Sequence, residues 1–204
     1  MNQIDTSTEE QKMMILAPHF GRDYGTEGWS KVGFEKFEKA PYNLLMKKEL
    51  KDDSESKGVD VKIKGLKEPE QGKKVEQLAE LIIEISGRWD DPIEMEKNLR
   101  WELRGNMNYS LALKEEEPIG YCGIETRKLF SGDVMYWIKE LGVHPDERGK
   151  GVATDLLLHT MNKVKKDGGS EIYIDTHSKN PAKELYKKIG FQTVEKLPNL
   201  KYGV

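Results

Sequence analysis

Between Val134 and Asp175 the chain passes through an apolar strand-like run ending at Val143, a glycine-rich turn, a helical run to Lys166, the stop Asp167-Gly168-Gly169, and a second strand-like run from Glu171. No other feature constrains the fold as strongly. A strand, a helix and a strand joined by short turns make a βαβ unit, whose strands lie parallel with a right-handed crossover. The helix declares itself by an apolar face of Ala153, Leu156, Leu157, Thr160 and Val164, spaced at its own turn length.

Upstream, the runs Tyr109 to Leu113, Ile119 to Thr126 and Val134 to Val143 are separated by Lys114-Glu115-Glu116-Glu117-Pro118 and Ser131-Gly132-Asp133, which predicts an antiparallel meander with a slightly long first loop. Before it, Val75, Leu78, Ala79, Ile82, Ile83 and Ser86 mark a helix stopped by Gly87. Asp91-Pro92-Ile93-Glu94 opens a second, with Met95, Leu99 and Leu103 on one face and Gly105 at its end. Val59, Val61 and Ile63 alternate with charged residues as a half-buried strand would. A last helix (Pro181 to Ile189) and strand (Phe191 to Val194) complete an α+β (α/β) domain.

Residues 1 to 46 differ in texture, mixing Phe20, Tyr24, Trp29, Phe34, Phe37 and Tyr42 with glycines. Lys47 to Gly58 holds a single apolar residue, Leu50, and reads as an exposed linker because it has almost nothing to bury. The expected division is therefore an N-terminal extension with charged linker over 1–58 and a folded domain over 59–204.

Thirty-three basic against 36 acidic residues leave a formal charge of −3, which supplies no bulk field for a nucleic-acid backbone. Nucleic acid is not an expected partner. Cys122 is the one cysteine, so neither an intrachain disulfide nor a cysteine zinc cage is available, and no metal site is expected. No membrane span or leader pattern is read, which makes a cytoplasmic setting the expectation.

The chemistry concentrates in Val143-His144-Pro145-Asp146-Glu147-Arg148-Gly149-Lys150-Gly151-Val152-Ala153-Thr154. A glycine-rich turn here opens a helix, where free N–H groups and the positive dipole end converge. Gly149 and Gly151 remove Cβ atoms that would hold an anion away, and Arg148 and Lys150 carry the right charge. The turn is not a Walker A loop, since Gly151 rather than Ser or Thr follows Lys150, and Thr154 stands where a dinucleotide fingerprint needs glycine.

Arg148-Gly149-Lys150-Gly151-Val152-Ala153 resembles the Arg/Gln-x-x-Gly-x-Gly/Ala signature of the GNAT superfamily of N-acetyltransferases, and Asn180-Pro181-Ala182-Lys183-Glu184-Leu185-Tyr186-Lys187-Lys188-Ile189-Gly190-Phe191 resembles its second signature. The resemblance spans roughly residues 59–196. It implies the GNAT fold, a mixed central sheet of six or seven strands with helices on both faces, here with an N-terminal extension. It further implies acetyl-coenzyme A as cosubstrate, its pyrophosphate on the amides of Arg148, Gly149, Lys150, Gly151, Val152, Ala153 and Thr154. The pantetheine arm would run beside Leu141, Gly142 and Val143, touching Asn180, which also suits a helix N-cap.

By the same resemblance Tyr186 protonates or hydrogen-bonds the leaving thiolate, and Glu140 stands near the position of an acidic base, with Asp175 as a rival. A bulge near Gly142 would decide where the Glu140 side chain points. Cys122 reads as a buried core residue, and His144 and His177 as loop residues. The implied acceptor is a small-molecule or peptide amine, to which Trp89, Asp90 and Asp91 would offer ring faces and carboxylates; the chain is expected to be a monomer or homodimer. A different class of reading is a non-catalytic coenzyme A binding or sensory module whose partner docks on the N-terminal segment.

Overall fold

Alternation along one strand shows how the layers form. In the computed structural model, which describes residues 34–36, 43–50, 61–66, 72–87, 91–129, 133–197 and 200–202, Gly120, Tyr121 and Cys122 are all buried. A Cβ on Gly120 would meet Leu156 and Val152 at 3.2 and 3.3 Å, so this side of the sheet faces the helix α3 (Val152–Lys166). Tyr121 points the other way. It joins a core cluster with Val75, Leu78 and Ile82 of α1 (Gly72–Ser86) and Met95 and Leu99 of α2 (Pro92–Arg104). Helices therefore cover both faces, as side chains of period two demand.

The remaining elements are β1 (Phe34–Lys36), β2 (Asn43–Glu49), β3 (Lys62–Leu66), β4 (Met107–Lys114), β5 (Glu117–Lys128), β6 (Val134–Val143), a 3-10 turn (Pro145–Glu147), β7 (Glu171–His177), α4 (Ala182–Ile189), β8 (Gln192–Leu197) and β9 (Leu200–Tyr202). The larger sheet has the order β3-β4-β5-β6-β7-β2-β8, and β1 pairs with β9. The antiparallel meander is β4-β5-β6, and β6 runs parallel to β7 as the βαβ reading requires. The chain divides into two compact units, residues 47–174 and residues 1–46 with 175–204.

Several expectations need correction. The strand expected from Val59 begins at Lys62 and runs to Leu66, whose side chain is its buried end. The β4–β5 connection is shorter than expected: Glu115 and Glu116 form a two-residue turn with φ of 51° and 67°. That is the twist a tight hairpin needs, although glycine or asparagine is its usual occupant. The Glu116 carboxylate pairs with Lys62 and with Lys64 at 3.2 Å, and Lys74 donates to the Glu116 carbonyl, so three lysines hold the turn.

Lys47 to Glu49 are not linker but the end of β2, which follows the buried Leu44, Leu45 and Met46. Lys47 Nζ pairs with Glu171 Oε2 at 3.0 Å, and the Leu50 N–H donates to Ser170 O at 2.8 Å. Residues 51–58, the rest of the expected linker, lie outside the described residues, as do Phe20, Tyr24, Trp29, Phe37 and Tyr42. No helix among the described residues is long and apolar enough to cross a membrane.

Candidate active site

The turn between β6 and α3 is held by its own backbone and by one arginine. The Glu147 N–H donates to His144 O at 2.9 Å and the Arg148 N–H to Pro145 O at 3.2 Å. Arg148 then folds back, its Nε donating to Val143 O at 3.0 Å, which ties the turn to the end of β6. Gly149 and Gly151 adopt φ of 74° and 89°, in the left-handed region that other residues enter at a cost of about 1–2 kcal/mol. Nothing lies within 4 Å of where a Gly149 Cβ would be. The backbone twist, not crowding, is what asks for glycine there.

Gly151 is the N-cap of α3 and offers no side-chain acceptor. The first intrahelical bond runs from the Asp155 N–H to Gly151 O at 3.1 Å, so the amides of Val152, Ala153 and Thr154 have no helical acceptor. These are the orphan donors of a helix start, and with the dipole behind them they make an anion cradle. The cations read as its partners are placed differently. Lys150 Nζ pairs with Glu147 Oε2 at 3.0 Å, and Lys114 Nζ takes Glu147 Oε1 at 2.8 Å. Both lysines hold the Glu147 carboxyl below the usual carboxylate range. Beside the turn is an open cleft of ≈ 420 Å³ lined by Lys62, Lys114, Glu116, Glu147, Lys150 and Val152, among others.

Strand β6 leads into this turn. Its ladder to β7 runs over Trp137↔Tyr173 and Ile138↔Ile174, while β6 continues from Glu140 to Val143 paired with β5. Leu141 lies opposite Cys122, Gly142 opposite Tyr121 and Val143 opposite Gly120. The bulge is not near Gly142 but at Lys139, because Gly123 pairs with Glu140 and Ile124 with Ile138. Gly142 has another reason for its small size: a Cβ there would sit 2.5 Å from the Tyr121 ring. Any larger residue would have to displace that ring.

The bulged-out Lys139 has its Nζ 5.0 Å from the centre of the Trp137 ring. Glu140 instead approaches Tyr109, whose hydroxyl is 3.4 Å from Glu140 Oε2 and donates to Glu102 Oε2 at 2.7 Å. Tyr109 is only 1% exposed. Burial, followed by the neighbouring Glu140 and Glu102 carboxylates, pushes its hydroxyl well above the usual phenol range, so it stays a proton donor.

Neither Tyr109 nor Glu102 was singled out in the sequence. The available signal was positional: Glu102 lies three residues after Leu99 and seven after Met95, an acidic residue on the buried stripe of α2.

Asn180 and Tyr186 belong to the other unit. The Ala182 N–H donates to Asn180 Oδ1 at 3.0 Å, so the helix-start role of Asn180 is present, and it engages the side-chain oxygen. Tyr186 is the buried residue of α4, its ring edge-on to Phe191 at 6.1 Å between centres. Gly190 ends α4 at φ 101°, and the Phe191 N–H donates to Tyr186 O at 2.9 Å. Asp175 lies in β7.

His144 and His177 are spoken for locally: His144 Nε2 meets Glu84 Oε1 at 2.9 Å, and His177 Nδ1 accepts the Lys179 N–H at 3.2 Å. Cys122 is fully buried, and burial pushes its thiol up to about 12, which leaves it an inert core residue. Trp89 and Asp90 lie outside the described residues; Asp91 caps α2, its Oδ1 accepting the Ile93 N–H at 2.8 Å.

The chain matches the acetyltransferase (GNAT) family over residues 75–191. It is 24% identical over 129 residues to the L-methionine sulfoximine/L-methionine sulfone acetyltransferase of Salmonella typhimurium, covering 60% of this chain and 75% of that protein. It is 25% identical over 129 residues, with the same coverage of 60% and 75%, to the L-amino acid N-acyltransferase MnaT of Escherichia coli. In fold it resembles the aminoglycoside N-acetyltransferase AAC(6')-Iy, solved in complex with CoA, with a TM-score of 0.58 and 17% identity over 69% of this chain and 93% of the other. With more than half of its residues matched, the chain belongs to the acetyltransferase (GNAT) family and is an N-acetyltransferase.

Proposed function

We propose that the protein transfers the acetyl group of acetyl-coenzyme A directly to the primary amine of a small acceptor while both are bound. The observation that carries this reading is the turn before α3, where two left-handed glycines leave the amides of Val152, Ala153 and Thr154 without helical acceptors. That cradle suits a pyrophosphate, as does the absence of any obstruction at Gly149. Coenzyme A supplies the acetyl group as a thioester, an electrophile an amine can attack without a covalent enzyme intermediate.

In this reading the main chain from Arg148 to Thr154 holds the diphosphate, Leu141, Gly142 and Val143 line the pantetheine arm, and Asn180 contributes its side chain. An alkylamine titrates near about 10.4, so at neutral pH it arrives as ammonium and must lose a proton before it attacks. Glu140 accepts that proton. The new C–N bond forms as the C–S bond breaks, and Tyr186 gives its hydroxyl proton to the departing sulfur or stabilises it by a hydrogen bond. Glu140 then returns its proton to water, and the second proton that the attacking nitrogen sheds on becoming an amide restores the Tyr186 hydroxyl or, where Tyr186 only hydrogen-bonds, protonates the thiolate. The related enzymes named for L-amino acid and L-methionine sulfoximine acylation make α-amino acids and their analogues the first acceptors to try. Monomer or homodimer, in a cytoplasmic setting, is the organisation we propose.

The test is release of free thiol from acetyl-coenzyme A against a panel of L-amino acids, amino acid sulfones and sulfoximines, aminoglycosides and short peptides. Turnover with at least one amine supports the reading. Coenzyme A binding by calorimetry with no turnover across the panel would instead point to a non-catalytic binding module.

A further inference from the structure

Directly opposed residues of an antiparallel pair share a face, and β5 sets Gly123 opposite Glu140, Glu125 opposite Trp137 and Arg127 opposite Met135. Glu140, Glu125, Trp137 and Arg127 therefore lie on one side of the sheet, the side of Tyr109, which is itself opposite Gly123. Arg127 and Trp137 have no part in the transfer reaction described so far. We infer that Arg127, seated on Trp137 with Lys139 beside it, binds a carboxylate carried by the acceptor, so that the substrate is an amine bearing a free carboxylate, as an α-amino acid does. This rests on the proposed transfer reaction and deepens it.

Trp137 is fully buried, and its ring centre has the Arg127 guanidinium carbon at 5.2 Å and Lys139 Nζ at 5.0 Å. The ring gives both cations a fixed seat, and a guanidinium already held in place loses little freedom when it takes a carboxylate. Its pair with Glu125 is single-pointed. Arg127 Nε is 2.9 Å from Glu125 Oε1, the oxygen that also accepts from Asn106 Nδ2 at 3.0 Å. Glu125 Oε2 is buried with no hydrogen-bond partner among the described residues, so the arginine fork does not grip both oxygens. A guanidinium has five N–H donors, and those beyond Nε are the ones suited to a two-point bond with a second carboxylate. Burial pushes the Glu125 carboxyl up, but Arg127, Asn106 and Lys139 together hold it below the usual range. It stays ionised and offsets one of the two positive charges. An acceptor carboxylate offsets the other, with the acceptor nitrogen directed to Glu140 on the same face.

The experiment compares L-amino acids, L-methionine sulfone first, with their carboxamides, which keep the amine and the side chain and lose the charge. Full-length protein is expected to prefer the acid by about tenfold or more in kcat/KM, the scale of a charge-assisted hydrogen bond. Arg127→Gln should shrink that preference to roughly threefold or less, chiefly through the KM of the acid. Arg127→Lys, which keeps the charge without the fork, should keep less than about a third of it, and it decides the matter if the glutamine variant lacks a native melting transition. Equal losses on acid and amide would give Arg127 a structural role and overturn the inference. So would a wild-type enzyme indifferent to the carboxylate, an Arg127→Lys preference equal to that of wild type, or turnover confined to amines without a carboxylate, each of which leaves acetyl transfer itself standing. If nothing is acetylated, calorimetry of the same pairs with coenzyme A present reads the preference directly. Tighter binding of the acid, lost in Arg127→Gln, would then uphold the carboxylate site while the transfer reading fails, and equal or absent binding of the two would sink both.

Discussion

The two halves of the candidate site are built from different materials. The turn before α3 works with main chain: its donors are amides, its key residues are glycines, and its charged side chains are occupied with Val143 O and Glu147. The cluster of Glu102, Tyr109 and Glu140 works with side chains drawn from α2, β4 and β6. An anion cradle tolerates changes of side chain but not of backbone conformation. A cluster of side chains is the reverse, because the lengths of its hydrogen bonds depend on where each side chain is held.

That contrast can be broken by substitution. The largest effect is expected for Glu140→Gln, which removes the proposed proton acceptor without changing shape: kcat should fall by roughly 10²–10⁴-fold with coenzyme A affinity unchanged by calorimetry. A drop confined to affinity would move the base elsewhere. Tyr186→Phe should lower kcat by about 10²-fold, the scale of losing one donor to developing charge, and again leave affinity for coenzyme A nearly intact. Stopped-flow thiol release separates the two outcomes.

On the main-chain side, Gly151→Ala forces a Cβ into the left-handed region at a cost of about 1–2 kcal/mol. Binding should weaken by roughly tenfold as the turn relaxes, with kcat at saturation nearly preserved; a large fall in kcat instead would show that the turn also aims the acetyl group.

The smallest effect belongs to Lys150→Ala. Its ammonium is exposed and paired with Glu147, which retains Lys114, and exposed pairs of this kind contribute little. Coenzyme A affinity should change less than threefold at physiological salt. A tenfold loss would mean that Lys150 leaves Glu147 to bind phosphate, and the division between main-chain and side-chain recognition would need redrawing.

How much of this could be read beforehand follows from the same contrast. Gly149, Gly151, Asp91, Gly190 and the face of α3 are local signals: each acts through its own φ, its own cap or a spacing of three and four residues, so neighbours in the chain suffice to reveal it. The meander, the parallel βαβ joint and both glycine-bearing segments were legible for that reason. The bulge was anticipated on β6 but at the wrong residue, since register depends on the partner strand, where Gly123 faces Glu140. The connection at Glu115-Glu116 was expected as a slightly long loop; it is a tight turn without glycine because lysines from β3 and α1 hold it. Lys47 to Glu49 looked like linker because the run to Gly58 holds a single apolar residue to bury, yet hydrogen bonding to strand neighbours asks only for backbone.

Local conformation and the left-handed glycine turn before α3 were thus written into consecutive residues, which need no distant partner to adopt their backbone angles. The meeting of Glu102, Tyr109 and Glu140, the Tyr121 ring over Gly142 and the place of β2 in the sheet arise only when separate segments pack, because each depends on a side chain or strand from elsewhere in the chain.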